Sequence, residues 1–212
     1  TKKQRHKLRV QQVRRQKIFL TCLFLLIVGC ILLRFSKFSG RQKETHQINA
    51  ACEAYRDEVS SEAAQYDMSD YVDLILAVMM QESSGQGTDP MQSSEGAYNT
   101  RYPQQPNGIT DPSYSISCGI QELKYALEKA VCTGPTDLSK IRLALQAYNF
   151  GADSYFAYLE ENGQTVWTAQ SAQAFAQMAS GGTQRDEDDP LHDPAGPWDY
   201  GDQYYPDRKS VV

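Results

Sequence analysis

Apolar residues recur at helical spacing in six segments between residues 48 and 179. The six segments are Ile48 to Ala63, Met68 to Glu82, Ile116 to Leu127, Ile141 to Tyr148, Tyr155 to Glu161 and Thr168 to Ala179. Asp137 is placed to cap the fourth helix and Gly151 to end it. The pattern predicts an all-α domain, and residues 48–212 are numerous enough to form a single hydrophobic core.

The second segment carries an acid where its apolar stripe should continue. Tyr71, Leu74, Ile75 and Val78 lie on one face of the predicted helix, and Glu82 is the next position of that face. An apolar surround and the negative end of the helix dipole would both raise the pKa of this carboxyl. A raised pKa is what a general acid working near neutral pH needs. The spacing alone also fits a solvated glutamate at a frayed helix end.

Two stretches lack helical periodicity. Ser83 to Asp111 is a long irregular segment rich in Gly, Pro, Ser, Asn and Gln, and a loop of this length in a small domain is usually functional. The tail from Thr183 onward is also irregular. Its aromatic residues are expected to pack on the domain, because such a cluster is costly to leave exposed. They are Trp198, Tyr200, Tyr204 and Tyr205.

The N-terminal segment has the pattern of a membrane anchor. Residues 1–17 carry eight Lys and Arg and no acid, and residues 18–34 are almost wholly apolar. The pattern predicts a transmembrane signal anchor with a cytoplasmic basic tail, a linker over 35–47, and residues 48–212 outside the membrane. The apolar stretch is slightly shorter than the ~20 residues of a full span. A cleaved signal peptide and lipidation at Cys30 are the alternatives.

Charge separates the two parts of the chain. The net charge is −5, but every acidic residue follows Arg34. The outer part is therefore acidic, which argues against nucleic acid as its partner, since phosphate backbones require basic patches. The basic run beside an apolar segment is better explained by membrane orientation than by nucleic-acid binding.

The five cysteines do not form a disulfide framework. Cys22 and Cys30 lie in the apolar segment. A bridge between Cys118 and Cys132 fits an oxidising compartment, and three buried free thiols, with Cys52 as the third, fit equally. No Cys/His spacing indicates zinc, and no glycine-rich phosphate loop is found. The chemistry inferred below needs neither a metal nor an organic cofactor.

Three short motifs follow one another along the chain, and their order is informative about the family. The motifs are Glu82-Ser83-Ser84-Gly85, Ser117-Cys118-Gly119-Ile120-Gln121 and Ala147-Tyr148-Asn149-Phe150-Gly151. Together they resemble the lysozyme-like superfamily of goose-type lysozymes and bacterial lytic transglycosylases, over roughly residues 48–205. The segment from Asp89 to Glu95 is similar to the membrane-anchored cell-wall hydrolases of Gram-positive conjugative elements. The resemblance implies a small lysozyme-like helical domain behind one N-terminal transmembrane helix.

The resemblance also implies a substrate and a mechanism. The substrate would be the glycan strand of peptidoglycan, cut at the β-1,4 bond between N-acetylmuramic acid and N-acetylglucosamine. Glu82 would protonate the leaving oxygen as an oxocarbenium-like transition state forms. Asp89 is the first candidate for a second, water-activating carboxylate and Glu95 the second candidate. Many members of the superfamily act with the glutamate alone.

Four further residues are expected to bind substrate. Tyr148 would pack beside the acid, and Asn149 would hold the groove or the sugar. Gln121 would hydrogen-bond an N-acetyl or backbone group, although its motif is one residue shorter than the Gly-Leu-Met-Gln of many transglycosylases. Ser83 would contact sugar or backbone.

Two reaction outcomes and one non-enzymatic alternative follow. Attack by water gives a muramidase, which we expect, and attack by the sugar's own 6-hydroxyl gives a lytic transglycosylase. The alternative is a non-catalytic wall-binding subunit of a secretion apparatus. The enzyme would open the wall locally, for conjugative transfer or secretion. Without a suitable Cys/His pair in the tail, cleavage of the stem peptide is not expected.

Overall fold

Seven α-helices form the regular structure of residues 48–208, the part of the chain that the computed structural model describes. They are α1 (Ala50–Glu53), α2 (Arg56–Gln65), α3 (Val72–Ser83), α4 (Pro112–Lys129), α5 (Leu138–Phe150), α6 (Ala152–Glu161) and α7 (Ala169–Ala179). Single 3₁₀ turns at Ser69–Tyr71 and Tyr205–Asp207 complete the set. No β-strand occurs within this range, so the all-α prediction is confirmed there.

The predicted anchor over residues 18–34, the tail before it and the linker after it lie outside the described residues. Within residues 48–208, no helix is both long enough and apolar enough to cross a bilayer.

The first predicted helix is interrupted. Residues 48–63 form α1 and α2 rather than one helix, because Tyr55 N–H bonds the carbonyl of Cys52, three residues back, over 3.0 Å. This tighter bond breaks the regular ladder for one turn. Asn49 caps α1 by accepting a hydrogen bond from Cys52 N–H at 2.7 Å.

The end of α3 differs by a residue or two from the prediction. Ser84, not a glycine, takes up the left-handed conformation that ends the helix, with φ 56°, and its N–H bonds Met80 O at 3.1 Å. Gly85 follows with φ +74°, and a Cβ there would lie 2.8 Å from the backbone N of Cys52. Glycine is therefore required at this position by both its conformation and its close contact with α1.

The core is built where α4 packs on α5 and α5 packs on α6. Large side chains from all the long helices are fully buried there, including Ile75, Ile120, Leu145, Tyr155 and Phe175. Each contributes roughly 1.5–3 kcal/mol relative to exposure. The predicted helix faces supply these residues, so the apolar pattern placed the core correctly.

The irregular tail is fixed along α5 by polar contacts. Gln146 donates from Nε2 to Asp202 O at 2.8 Å, and Asn149 Oδ1 accepts from Asp202 N–H at 2.6 Å. The Tyr200 hydroxyl donates to Phe150 O at 3.1 Å. The expected packing of the four tail aromatics is confirmed, since the first of those named next is buried and the other three are half-buried. They are Tyr205, and then Trp198, Tyr200 and Tyr204.

The three described cysteines are free thiols. Cys52 and Cys118 are buried, and Cys132 is half-buried with its thiol directed at Gly134 O, 3.3 Å away. The alternative of a Cys118–Cys132 bridge is therefore wrong, and the free-thiol alternative holds.

Candidate active site

Glu82 lies in the last turn of α3, half-buried, with its carboxyl turned towards the tail. Tyr205 donates a hydrogen bond from its hydroxyl to Glu82 Oε1 at 2.5 Å. The pKa of Glu82 is raised to about 7, chiefly by burial. The hydrogen bond from Tyr205 lowers this pKa, and the negative charges of Asp89 and Asp202 raise it. The expected direction of the shift is confirmed. A carboxyl with this pKa is protonated often enough at neutral pH to serve as a general acid.

Tyr205 is held in place by ion pairs on either side. Asp202 is 4% exposed and pairs with Arg208, 2.6 Å apart, while Arg142 of α5 pairs with Asp207 at 2.5 Å. Tyr205 itself is fully buried. The contact of Tyr205 with Glu82 was not predicted from the sequence, in which the aromatic cluster indicated only packing.

Asp89 is buried in the loop that follows α3, at 2% exposure. Its Oδ1 accepts from Ser93 N–H at 3.1 Å and from the Ser115 hydroxyl at 2.5 Å. Its Oδ2 accepts from Ser94 N–H at 3.1 Å and from the Ser94 hydroxyl. These four hydrogen bonds occupy the roughly four lone-pair sites of the two carboxylate oxygens. The geometry therefore runs against the prediction that Asp89 activates water, and gives it the task of holding the loop.

The loop is ordered by a second buried polar residue. Asn99 is 2% exposed and donates from Nδ2 to Ser94 O at 2.6 Å, and its Oδ1 accepts from Tyr102 N–H at 3.0 Å. Glu95, the second candidate for the base, points outward and is exposed. The long irregular segment is thus tied together by side-chain to backbone bonds instead of a helix or sheet ladder.

Tyr148 joins the loop to α5 beside the acid. Its hydroxyl donates to Met91 O at 2.9 Å. Burial raises its pKa well above the ordinary value, and the charges of Glu122, Glu82 and Asp89 add to this effect. A Cβ at Gly119 would lie only 2.6 Å from Met91 Cβ, so the motif glycine allows α4 to approach the loop.

Ser83 and Asn149 are engaged by the protein itself. Ser83 donates from Oγ to Pro90 O at 2.8 Å and accepts from Gly85 N–H at 3.0 Å, which closes the turn after α3. Asn149 Oδ1 accepts from Asp202 N–H and so fixes the tail. A substrate contact for either residue stays a prediction.

Gln121 is engaged within α4 itself. Its Nε2 donates to Ser117 O at 3.1 Å, and the Ser117 hydroxyl lies 3.0 Å from that of Tyr66. Among the contacts of the described residues, none joins Gln121 to Glu82, Asp89 or Tyr148. The expected substrate contact of Gln121 also stays a prediction.

Glu122 is a second unusual acid that the sequence did not reveal. Its Oε1 is buried and has no hydrogen-bond partner among residues 48–208. A Cβ at Gly96 would lie 1.4 Å from this oxygen, so the loop sits directly on the carboxyl. The pKa of Glu122 is raised to about 8, chiefly by burial and in part by the charges of Asp89 and Glu82, while a backbone hydrogen bond from Tyr98 lowers it. A glutamate within a helix is usually interpreted as exposed to solvent, and nothing in the sequence indicated that Glu122 is buried.

In residues 48–208, no group of three or more His, Cys, Asp or Glu side chains is arranged to hold a metal ion. The groups gathered around Glu82 are those of acid catalysis: a carboxyl with a raised pKa, a tyrosine on one of its oxygens, and fixed negative charge nearby.

An all-α domain with an acid of raised pKa at a helix end is typical of the lysozyme-like class of folds. The lysozyme-like family matches residues 50–207, and the chain belongs to that family. The family resemblance expected from the three motifs is thereby confirmed.

Several curated proteins are similar to part of the chain. The bifunctional muramidase/DL-endopeptidase CwlT of Bacillus subtilis (strain 168) is 38% identical over 120 residues, which is 57% of this chain and 32% of CwlT. The uncharacterized membrane protein YocA of the same organism is 40% identical over 115 residues, 52% of this chain and 45% of YocA. Pneumococcal vaccine antigen A of Streptococcus pneumoniae serotype 4 is 32% identical over 135 residues, 63% of this chain and 61% of that protein. Less than two thirds of each relative is covered.

A solved structure has the same fold. It is a Staphylococcus aureus subsp. aureus Mu50 protein described as similar to a lipoprotein of the NLP/P60 family. The match has a TM-score of 0.63 and 28% sequence identity, and it covers 77% of this chain and 53% of that one.

Proposed function

We propose that this protein is a peptidoglycan glycosidase that cleaves the β-1,4 bond between N-acetylmuramic acid and N-acetylglucosamine, with Glu82 as its general acid. The observation that carries the proposal is the pairing of Glu82 with Tyr205 in a half-buried site, where the pKa of the acid is about 7. The muramidase named among the relatives supports the same chemistry.

The hydrogen bond from Tyr205 assigns the two oxygens of Glu82 different tasks. Oε1 accepts from the tyrosine, so Oε2 is the oxygen that carries the transferable proton. That proton passes to the glycosidic oxygen as the bond to the muramic acid carbon breaks. The charge of Asp89 raises the pKa of Glu82 and so favours the proton on that acid. The same charge would stabilise the positive charge that develops on the sugar.

Water is the acceptor that we propose for the second half of the reaction, which makes the protein a muramidase. The relative named as a muramidase supports this choice, and Glu95, exposed on the loop, remains the candidate to activate the water. A lytic transglycosylase is the second candidate function. The saturated hydrogen bonding of Asp89 favours it, since attack by the 6-hydroxyl does not need a second carboxylate at that position.

The test is digestion of purified peptidoglycan followed by mass analysis of the soluble muropeptides. The wild-type chain should release fragments with reducing muramic acid ends. Products lighter by one water, with a 1,6-anhydro ring, would identify the transglycosylase. Glu82→Gln keeps the shape of the side chain and removes its proton, and should lower the rate about 10²–10⁴-fold. Glu161→Gln, an exposed acid at the end of α6, is the matched control.

A non-catalytic wall-binding subunit would give a different result. Wild-type protein and Glu82→Gln would then bind the wall equally, and neither would release fragments. Near-wild-type cleavage by Glu82→Gln would contradict the assignment of the acid, whatever the product.

We further propose that residues 18–34 hold the protein in the cell membrane, with residues 48–212 on the outer side. The basic run before this segment supports the orientation. There the enzyme would open the wall locally for a conjugation or secretion machinery. Protease added to intact protoplasts should remove the domain and spare the N-terminal tail, whereas protection of the domain would reverse the orientation.

A further inference from the structure

One basic side chain stands apart in a strongly acidic domain. Residues 48–208 contain 25 acidic and eight basic residues. Seven of the eight basic side chains bond an acidic side chain or a backbone oxygen. These are Arg56, Lys124, Lys129, Lys140, Arg142, Arg185 and Arg208. The guanidinium of Arg101 is the exception, because its contact within residues 48–208 is with an aromatic ring rather than an oxygen.

Arg101 is held in a defined place in spite of its exposure. Its Cζ lies 4.5 Å from the centre of the Tyr114 ring. The Tyr114 hydroxyl is itself fixed, since it accepts from Thr100 N–H at 3.0 Å and donates to Tyr98 O at 3.2 Å. Arg101 N–H donates to Asn99 Oδ1 at 3.3 Å, which ties its backbone to the ordered loop.

Within residues 48–208, this arrangement leaves the N–H donors of the guanidinium without an oxygen partner. A guanidinium over a ring engages the ring through its face, and its N–H groups remain in its own plane. Those N–H groups match the two oxygens of a carboxylate. The cost of ordering the side chain is reduced because the ring already restricts it.

The position of Arg101 relates it to the acid site. It belongs to the same loop as Asp89, between α3 and α4. Asn99, which accepts from Arg101 N–H, also donates to Ser94 O, and Ser94 donates from its N–H to Asp89 Oδ2. Tyr114, whose ring Arg101 covers, is followed in α4 by Ser115, whose hydroxyl donates to Asp89 Oδ1. A ligand held by Arg101 would therefore lie near the buried end of the loop that carries Asp89.

We propose that Arg101, seated on Tyr114, is a subsite for a carboxylate of the peptide stem that branches from the glycan strand. This inference rests on the proposed function. A domain with this excess of negative charge repels an anionic stem, so one unpaired and pre-positioned guanidinium selects the glycan that carries such a stem. The subsite would favour peptide-bearing strands over strands whose stems are neutral.

The experiment compares two forms of teichoic-acid-free peptidoglycan, one native and one with its stem carboxyls converted to neutral methylamides. Binding is measured by co-sedimentation and cleavage by release of soluble glycan. Wild-type protein should bind and cleave the native form better, by about five-fold, as expected for one exposed charge-assisted contact. Arg101→Ala should lose this preference, and Arg101→Lys should keep part of it, since it retains the charge but not the fork.

The controls separate the subsite from general charge and from the proposed function. Lys129→Ala removes one positive charge from the end of α4 and should leave the preference unchanged. High salt should weaken the preference of the wild type. Equal binding of both substrates by the wild type, or an undiminished preference in Arg101→Ala, would overturn the subsite. A preference in binding with no cleavage by the wild type would support the subsite and overturn the glycosidase.

Discussion

The hydroxyl of Tyr205 donates a hydrogen bond to Oε1 of Glu82 across 2.5 Å, although 123 positions separate the two residues in the sequence. Tyr205 is fully buried, and its turn is fixed to α5 by Arg142 and Asp207. The acid is thus oriented by the end of the domain. Four expectations follow from this arrangement and from the carboxyls around it.

Replacing the tyrosine should move the pH dependence of cleavage. With a pKa of about 7, Glu82 loses its proton as the pH rises through neutrality, so activity should fall on the alkaline side. The hydrogen bond from Tyr205 lowers that pKa, and Tyr205→Phe should therefore shift the alkaline limb upward by about half a pH unit. The measurement is the pH profile of kcat/KM. Tyr200→Phe removes a hydroxyl that bonds Phe150 O, and should leave the limb in place. A limb unmoved in Tyr205→Phe would contradict the coupling.

Asp89→Asn should destabilise the loop more than it harms the chemistry. The substitution places an amide N–H₂ where donors from Ser94 or Ser115 now point, so at least one buried hydrogen bond is lost. We expect the free energy of unfolding to fall by about 1–3 kcal/mol. The rate of cleavage should fall less than in Glu82→Gln. Glu95→Gln, exposed on the same loop, should leave the melting temperature unchanged. An equal loss of rate in Asp89→Asn and Glu82→Gln would show that Asp89 takes part directly in the reaction.

Glu122→Gln should make the domain more stable at alkaline pH. The folded protein holds the proton of Glu122 up to a pKa of about 8, whereas the ordinary value is near 4.5. Because the pKa of Glu122 is raised in the folded state, the contribution of this carboxyl to the free energy of unfolding is greatest below pH 4.5 and is lost as the pH rises towards 8. A glutamine has no proton to lose, so the variant should exceed the wild type by about 1–3 kcal/mol at pH 8 and match it at pH 4. Urea unfolding of both proteins at pH 4 and pH 8 checks this expectation. The same difference in free energy of unfolding between variant and wild type at the two pH values would show that ionisation of Glu122 is not involved.

Removal of residues 197–212 should lower the melting temperature of the lysozyme-like domain. The deletion takes away the buried ring of Tyr205 and the contacts of Asp202 with Gln146 and Asn149. Loss of a buried aromatic residue alone costs about 3–5 kcal/mol. The matched point variant is Leu191→Ala, which changes an exposed residue of the same tail and should have little effect. A melting temperature unchanged by the deletion would show that the tail is not part of the cooperative unit.

The sequence was most informative where periodicity governs structure. The stripe from Tyr71 to Val78 located α3 and placed Glu82 at its end, and the cap at Asp137 and the glycine at 151 marked α5. The break between α1 and α2 was not foreseen, because one three-residue hydrogen bond at Tyr55 leaves the apolar pattern intact. The apolar pattern indicates which face of a helix is buried, and a single altered backbone hydrogen bond does not change that pattern.

The site was harder to predict because its contacts join distant parts of the chain. Asp89 lies in a motif typical of a catalytic loop, yet its oxygens are engaged by serines from the loop and from α4. Glu122 has ordinary polar and apolar neighbours in sequence, and the loop at Gly96 comes to lie against its carboxyl only in the folded chain. Burial of a charged group is decided by tertiary packing, for which a single sequence carries no periodic signal.

The dependence of Glu82 on Tyr205 has a consequence for the order in which the site is completed. Synthesis proceeds from the N-terminus, so α3 and its acid leave the ribosome long before the residue that orients the acid. A chain cut or stopped between α7 and Tyr205 would still contain all seven helices and all three sequence motifs. It would lack the hydroxyl that fixes one oxygen of the acid. In the proposed glycosidase the acid is therefore oriented only after α7 has been made, when the turn at Tyr205 closes on α3.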